Sequence, residues 1–363
     1  MGDVKNFQHV LIDEFQDFSE PFNQLLQDSK RINSSFKTFA VGDNWQAING
    51  FAGSKLEFFN DFHKFFKQPL KLELRKNYRS AEPVVAVSNA LMIGTSPRSN
   101  ALSGVAANTQ RGEARLWDLK ELVLTPQEEI IHETDKLTAA LIRLIKQHFD
   151  KSRDVVLLSR ANNVRNYSRI SAYSQKVLSY FPAAQSNSLS FSTTHRYKGL
   201  EALAVIIIDA ERYPLIHPNW KFQRIFGDNK HQITEEERRL FYVALTRAET
   251  VLDVVTKDLE ESIFLEDIHE RLTKFEWDTL PEFEYPDSGM LTVRVSNAFY
   301  IHEILKERGW RFTPGEDYWY KRTSESELED FTRLERQDWF KHPVKVEVFS
   351  EKGEIVWEKE AFE

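Results

Sequence analysis

Short apolar runs alternate along the chain with longer stretches whose apolar positions recur at helical spacing. Gln8-His9-Val10-Leu11-Ile12 and Thr38-Phe39-Ala40-Val41 read as buried parallel strands, ending in Asp13-Glu14 and Gly42-Asp43. In open α/β sheets that carboxyl end of a strand is the edge where ligands bind. Comparable runs recur at Ala114-Arg115-Leu116-Trp117, Asp154-Val155-Val156-Leu157-Leu158 and Ala204-Val205-Ile206-Ile207-Ile208. Residues 83–93 and 127–147 have helical spacing, and Ile130, Ile131, Leu137, Leu141, Leu144 and Ile145 can share one face. A Gly/Ser/Asn-rich loop from Gly94 to Gly112 separates these two stretches. Strands alternating with helices predict an α/β fold with a doubly wound parallel sheet.

Beyond about residue 265 the pattern changes to aromatic and charged residues without a long apolar strand, which predicts a separate small domain of α+β type. Within it, residues 302–309 read as a helix closing on Gly309, followed by a hairpin near Pro314-Gly315-Glu316-Asp317. Trp310, Tyr318, Trp319 and Tyr320 interleave with Arg308, Arg311, Lys321 and Arg322. Such interleaving suits either a nucleic-acid surface or an aromatic core, and small domains depend on aromatics for burial.

Composition narrows the function classes. The 363 residues are 41% hydrophobic and 13% aromatic, enough for two or three folded domains. No apolar run approaches the roughly 20 residues of a membrane helix, and Met1-Gly2-Asp3-Val4 carries no secretory pattern, so a cytoplasmic protein is expected. The absence of cysteine excludes disulfides, thiolate metal sites and cysteine nucleophiles. A net charge of −8 argues against coating nucleic acid by bulk electrostatics, but leaves room for a narrow track that binds single strands by stacking.

Asp13-Glu14 after a buried strand has the layout that nucleotide hydrolysis needs, one carboxylate for Mg²⁺ and a neighbour for water. Taken alone it more often marks a solvated helix start. The blocks that follow it are more specific. Val10-Leu11-Ile12-Asp13-Glu14-Phe15-Gln16-Asp17 resembles motif II of UvrD/Rep-like superfamily 1 DNA helicases, and Val41-Gly42-Asp43-Asn44-Trp45-Gln46-Ala47-Ile48 with Phe51-Ala52-Gly53 resembles motif III. Leu72-Glu73-Leu74, Asn77-Tyr78-Arg79-Ser80 and Val156-Leu157-Leu158-Ser159-Arg160-Ala161-Asn162 resemble the motif IV region. Ser192-Thr193-Thr194-His195-Arg196-Tyr197-Lys198-Gly199-Leu200-Glu201 is similar to motif V, and residues 236–248, ending in Thr246-Arg247-Ala248, to motif VI.

The resemblance implies ATP and Mg²⁺ as cofactors and single-stranded DNA as partner. It implies Asp13 as the Mg²⁺ ligand, Glu14 as the residue orienting the attacking water, and Gln46 as the sensor of the γ-phosphate. Tyr78 is implied to stack on adenine, Glu201 to contact the sugar, and Arg79 and Arg247 to reach the γ-phosphate, where planar guanidinium forks suit spread charge. Thr193 and His195 are implied to touch the DNA backbone, and Trp45 and Phe51 to stack on bases. Arg239 has a weaker claim to function, and Arg238 reads as part of a charged helix face.

The sequence also departs from the family. No Gly-x-x-x-x-Gly-Lys-Ser/Thr phosphate loop occurs, which leaves half of the triphosphate cradle without a source in these 363 residues. Residues 1–70 are expected to be the end of a first RecA-like domain, 71–262 a second RecA-like domain, and 265–363 a small accessory domain, a possible surface for a protein partner. Residues 162–191 are too short for a large inserted domain, an arrangement similar to the DNA helicase IV branch. The expectation is a C-terminal helicase motor portion, inactive alone, whose N-terminal motor half comes from the same polypeptide or a split partner. The alternative is a non-catalytic module, derived from a helicase, that binds DNA or protein.

Overall fold

The computed structural model describes residues 4–50, 53–93, 105–108, 111–132, 135–163, 170–215, 230–257, 262–285, 289–313, 317–328 and 332–361. Phe51 and most of the hairpin expected at Pro314-Gly315-Glu316-Asp317 lie outside the described residues. The chain divides into two compact units, one of residues 1–121 with 147–279 and the other of residues 122–146 with 280–363.

The first unit is α/β. Strands β1 (His9–Ile12) and β2 (Lys37–Ala40) pair in parallel, as do β3 (Lys76–Ala81) and β4 (Val105–Asn108). A six-stranded, all-parallel sheet is built from β5 (Glu113–Asp118), β6 (Val155–Ser159), β7 (Leu189–Thr193), β8 (Ala202–Ile208), β9 (Ala248–Thr256) and β10 (Thr273–Lys274), in the order β10-β5-β9-β8-β6-β7. β6, β8 and β9 are almost wholly buried, as parallel strands covered on both faces must be. The helices Glu82–Met92 and Lys230–Leu245 help cover them through Val84, Val87, Leu91, Leu240, Phe241 and Ala244.

β1 and β2 form a much smaller body. Val10, Ile12 and Ala40 pack on a cluster of Phe15, Phe18, Leu26, Phe36, Phe58 and Phe66, whereas Leu11 and Phe39 on the opposite face are 74% and 60% exposed. The helix Glu20–Ile32 buries Leu26 but leaves Phe22, Leu25 and Ile32 exposed at three- and seven-residue spacing. A two-stranded sheet is marginal alone, and a parallel one ordinarily has both faces covered.

The unit boundaries differ from those expected near residue 265. Thr273 and Lys274 pair with Arg115 and Leu116 at the edge of the large sheet, and Trp277 Nε1 donates to Asp118 O at 2.6 Å, so the first unit runs on to residue 279. In the opposite direction, residues 122–146 leave it. The helical stretch expected at 127–147 is two helices, Pro126–His132 and Lys136–Asp150, and Lys146–Gln147 is the point of division.

The second unit contains a five-stranded antiparallel sheet that the sequence reading missed. It comprises β11 (Met290–Ser296), β12 (Arg311–Thr313), β13 (Tyr318–Ser324), β14 (Lys345–Phe349) and β15 (Ile355–Glu360), in the order β12-β13-β11-β14-β15. Leu291, Val293 and Val295 alternate inward from β11 to meet Val346, Val348 and Trp339, while Arg294 stacks on Tyr318 and Phe349 on the other face. Trp310 and Trp319 pack on this core and Tyr320 is buried, as the aromatic-core reading expects. The helix His302–Glu307 ends as expected, with Gly309 at φ 77° and Trp310 N bonded to Leu305 O. No helix among the described residues is long and apolar enough to cross a membrane.

Candidate active site

The acids and the arginines come from facing edges of two sheets. Asp13 and Glu14 leave the carboxyl end of β1. Arg247 precedes β9 and Glu201 precedes β8, both at the amino edge of the large sheet, and Tyr78 and Arg79 lie on β3. Ser80 Oγ donates to Ala248 O at 2.8 Å and so fixes β3 beside Arg247.

Glu14 adopts the left-handed conformation, φ 50° and ψ 44°, uncommon for a residue with a side chain. Its surroundings over-determine it. Phe15 N donates to Val41 O at 2.8 Å, Glu14 N to Asp13 Oδ1 at 2.9 Å, and the buried Gln16 amide bonds to Glu14 Oε2. Gln16 Oε1 in turn accepts from Asp43 N at 3.0 Å. A Cβ on Gly42 would lie 2.4 Å from Gln16 Oε1 and 2.9 Å from Phe15 N, so glycine is required there. Both carboxylates remain exposed at the mouth of the site.

The 43–50 segment is held from both sides. Asp43 accepts from Trp45 N at 3.0 Å and from Gln46 Nε2 at 2.9 Å, and its burial raises its pKa despite those bonds. With its amide nitrogen on Asp43, Gln46 turns its carbonyl oxygen to Arg247 Nη2 at 3.2 Å. From the helix Lys230–Leu245, Arg239 Nε donates to Ala47 O at 2.8 Å, and Glu236 accepts from Gly50 N at 3.1 Å.

Arg247 is 1% exposed and bonds to Val243 O, Leu200 O, Thr246 Oγ1 and Gln46 Oε1, all neutral acceptors. Among the described residues no carboxylate makes an ion pair with it. Burial, and then the nearby Arg79 guanidinium, lower its pKa to about 10. Arg79 pairs with Glu201, each about half exposed. Tyr78 is 72% exposed, leaving a ring face open to a planar ligand.

Other expected positions fall elsewhere. Trp45 does not present a base platform. It is 5% exposed, packed with Ile48 and edge-on to Tyr242 at 5.4 Å, because the short 3-10 turn Asn44–Gln46 docks on the helix Lys230–Leu245. Thr193 and His195 lie half-buried at and just past the carboxyl end of β7, across the sheet from Arg247, and burial with the nearby Arg160 lowers the His195 pKa. Arg238 is not on a solvated face: it binds Leu91 O and Asp267 and covers the Phe264 ring at 4.6 Å.

Sequence reasoning assigned no role to Lys198 or Asp17, although both stand in the quoted runs. Lys198 Nζ donates to Asp17 Oδ2 at 2.6 Å and to Gln46 O at 3.0 Å, and lies 3.7 Å from Glu14 Oε2. Asn49 Nδ2 completes the contact on Asp17 Oδ2 at 2.7 Å.

The described residues contain no group of three or more His, Cys, Asp or Glu side chains able to hold a metal. A Mg²⁺ at Asp13 therefore fits only if phosphate oxygens and water complete its shell, which is its usual way of binding beside a nucleotide.

Comparison with known proteins bears on this geometry. Residues 4–67 match the UvrD/REP helicase N-terminal domain, and residues 172–257 the UvrD-like helicase C-terminal domain. The chain is 28% identical over 250 residues to DNA helicase IV of Escherichia coli K12, covering 68% of this chain and 33% of that protein. It is 28% identical over 261 residues to a probable DNA helicase of Mycoplasma pneumoniae, covering 71% and 45%. The chain thus spans a third to under half of the length of these relatives. A crystal structure of the C-terminal domain of a possible DNA helicase from Lactobacillus plantarum aligns at 12% identity and a TM-score of 0.29, covering 55% of this chain and 98% of that one. With the two domain matches in order along the chain, residues 4–67 and 172–257 are similar to the N- and C-terminal domains of UvrD/Rep-like superfamily 1 helicases, and DNA helicases are relatives of the chain over 68–71% of its length.

Proposed function

We propose that this chain is the C-terminal motor portion of an ATP-dependent helicase or translocase acting on single-stranded DNA, of the DNA helicase IV branch. Movement from 3′ to 5′ rests on resemblance alone. The observation that carries the proposal is Arg247: a buried guanidinium hydrogen-bonded to neutral acceptors, beside a second guanidinium and within electrostatic reach of the exposed Glu14. Such a pair favours an anion between it and the acids, and charge developing on transferred phosphoryl oxygens meets that need.

On this reading Asp13 holds Mg²⁺, which would neutralise phosphate charge, and Glu14 orients the attacking water. Gln46 links Arg247 to the γ-phosphate, Tyr78 stacks on adenine, and Glu201 reaches the sugar once Arg79 turns to phosphate. Thr193 and His195 meet the DNA backbone at the opposite edge of the sheet. A phosphate loop must come from outside these 363 residues, so the chain alone is inactive in hydrolysis. The bare apolar face of Leu11 and Phe39 supports a docking surface for the rest of the first motor domain.

The test is Arg247→Ala in the complete motor. ATP turnover should fall by about a hundredfold or more, as for loss of a group that stabilises transition-state charge, with single-strand binding retained. Retained turnover would sink the role of Arg247. A complete protein that binds DNA without hydrolysing ATP favours the non-catalytic module instead.

A further inference from the structure

We propose that Lys198 is a positioning residue for hydrolysis, seating the β7–β8 crossover on the acidic run and so holding Glu14 and the arginines in register. The inference rests on the ATPase reading above.

β7 and β8 are parallel strands of one sheet, on opposite sides of β6. Residues 194–201 must therefore run from the carboxyl edge back to the amino edge, a short span for a parallel crossover. Without a helix to stiffen it, the crossover is held by its contacts. Gly199, at φ 84°, lets the backbone reverse so that consecutive groups address different partners. Lys198 turns to Asp17 Oδ2 and Gln46 O, Leu200 O accepts from Arg247 Nη1 at 3.1 Å, and Glu201 pairs with Arg79.

The side chain of Lys198 is 13% exposed, and among the described residues it is the cation that ion-pairs with Glu14 and Asp17 of this acidic run. Asp17 Oδ1 is buried without a partner, so Asp17 depends on Lys198 and Asn49 through its other oxygen. Because Lys198 also binds the Gln46 carbonyl, one ammonium ties together the segment bearing Glu14, the segment bearing Gln46, and the loop that buttresses Arg247. Removing it leaves Asp17 without its counter-charge and lets three segments shift, and misplacement by about 1 Å costs up to a hundredfold in rate.

The test uses the complete motor and compares wild type with Glu14→Gln, Lys198→Ala, Lys198→Arg, Asp17→Asn and the double variant Lys198→Ala/Asp17→Asn. Lys198→Ala should lower kcat by roughly ten- to a hundredfold with little change in the KM for ATP. Lys198→Arg, which keeps the charge, should recover part of the loss, and this separates positioning from unfolding. Asp17→Asn should reproduce the loss, and the double variant should lose no more than the worse single, as for residues acting through one another. Independent, multiplicative losses, or a wild-type kcat in Lys198→Ala, overturn the assignment. If wild type hydrolyses ATP and Glu14→Gln abolishes it while Lys198→Ala does not, only Lys198 is wrong. A wild type without hydrolysis overturns the ATPase reading and this inference together.

Discussion

Glu14 stands in a left-handed conformation just past the end of β1, at the start of the 3-10 turn Phe15–Asp17, held there by backbone and amide bonds from Phe15 and Gln16. Strain of this kind persists only where neighbours impose it, and here the neighbour that cannot change is Gly42. Gly42→Ala should push its methyl group into Gln16 Oε1 and Phe15 N, destabilising the fold by about 1–3 kcal/mol. Chemical denaturation measures this, and an unchanged midpoint would show that Gln16 moves freely aside. Much of the site was legible in the sequence because the motif runs name its charged residues. Two features were not. Trp45 was misjudged because an indole is equally suited to a base or a core, and only the docking of its turn on Tyr242 decides between them. Lys198 was passed over because its value lies in contacts at sequence separations of 181 and 152 residues, which no local pattern encodes.

At the scale of elements, the large sheet carries a buried charge network that its strands reveal only when paired. Arg115 on β5 binds both oxygens of Asp253 on β9, Trp117 Nε1 donates to Asp253 Oδ1 at 2.6 Å, and His148 Nε2 lies 2.7 Å from Asp253 Oδ2. Burial would raise the Asp253 pKa, but Arg115 and His148 hold it below the usual carboxylate range. Burial keeps His148 below the usual imidazole value, so its Nε2–H is assigned as a neutral donor to Asp253. Asp253→Asn leaves the buried Arg115 with only Glu113, 3.5 Å away and about half exposed, as counter-charge, and should cost about 3 kcal/mol. The pH dependence follows from the same groups. His148 binds a proton more readily in the unfolded chain, so its contribution to stability is complete above about pH 6.5 and falls as pH drops below that value. The Asp253 contribution persists above about pH 3.9 and is lost only at lower pH. The melting temperature should therefore decline between pH 7 and pH 5, and His148→Gln should flatten the decline. A flat wild-type profile would contradict the neutral assignment. β6 and β8 were readable as apolar runs, whereas β9 was hidden because Glu249 and Asp253 interrupt its pattern.

The first unit carries a six-stranded parallel sheet together with two strands, β1 and β2, that have little sheet of their own. β1 and β2 expose Leu11 and Phe39, and the adjoining helix exposes Phe22, Leu25 and Ile32. Apolar surface of this kind invites association, so Leu11→Lys/Phe39→Lys should improve the solubility of the isolated chain and weaken its assembly with a phosphate-loop-bearing partner. Static light scattering with and without that partner checks both effects, and undiminished assembly would place the docking surface elsewhere. The second unit was the least legible, because its short antiparallel strands place polar and charged side chains among the aliphatic ones, as Thr292 and Arg294 between Leu291, Val293 and Val295 in Met290–Ser296. The most direct test of the central claim is single-strand-stimulated ATP hydrolysis, measured on this chain alone and on a form that includes a phosphate-loop-bearing first motor domain. Stimulated turnover is expected only in the second form, and stimulated turnover by the chain alone would show that no external phosphate loop is needed.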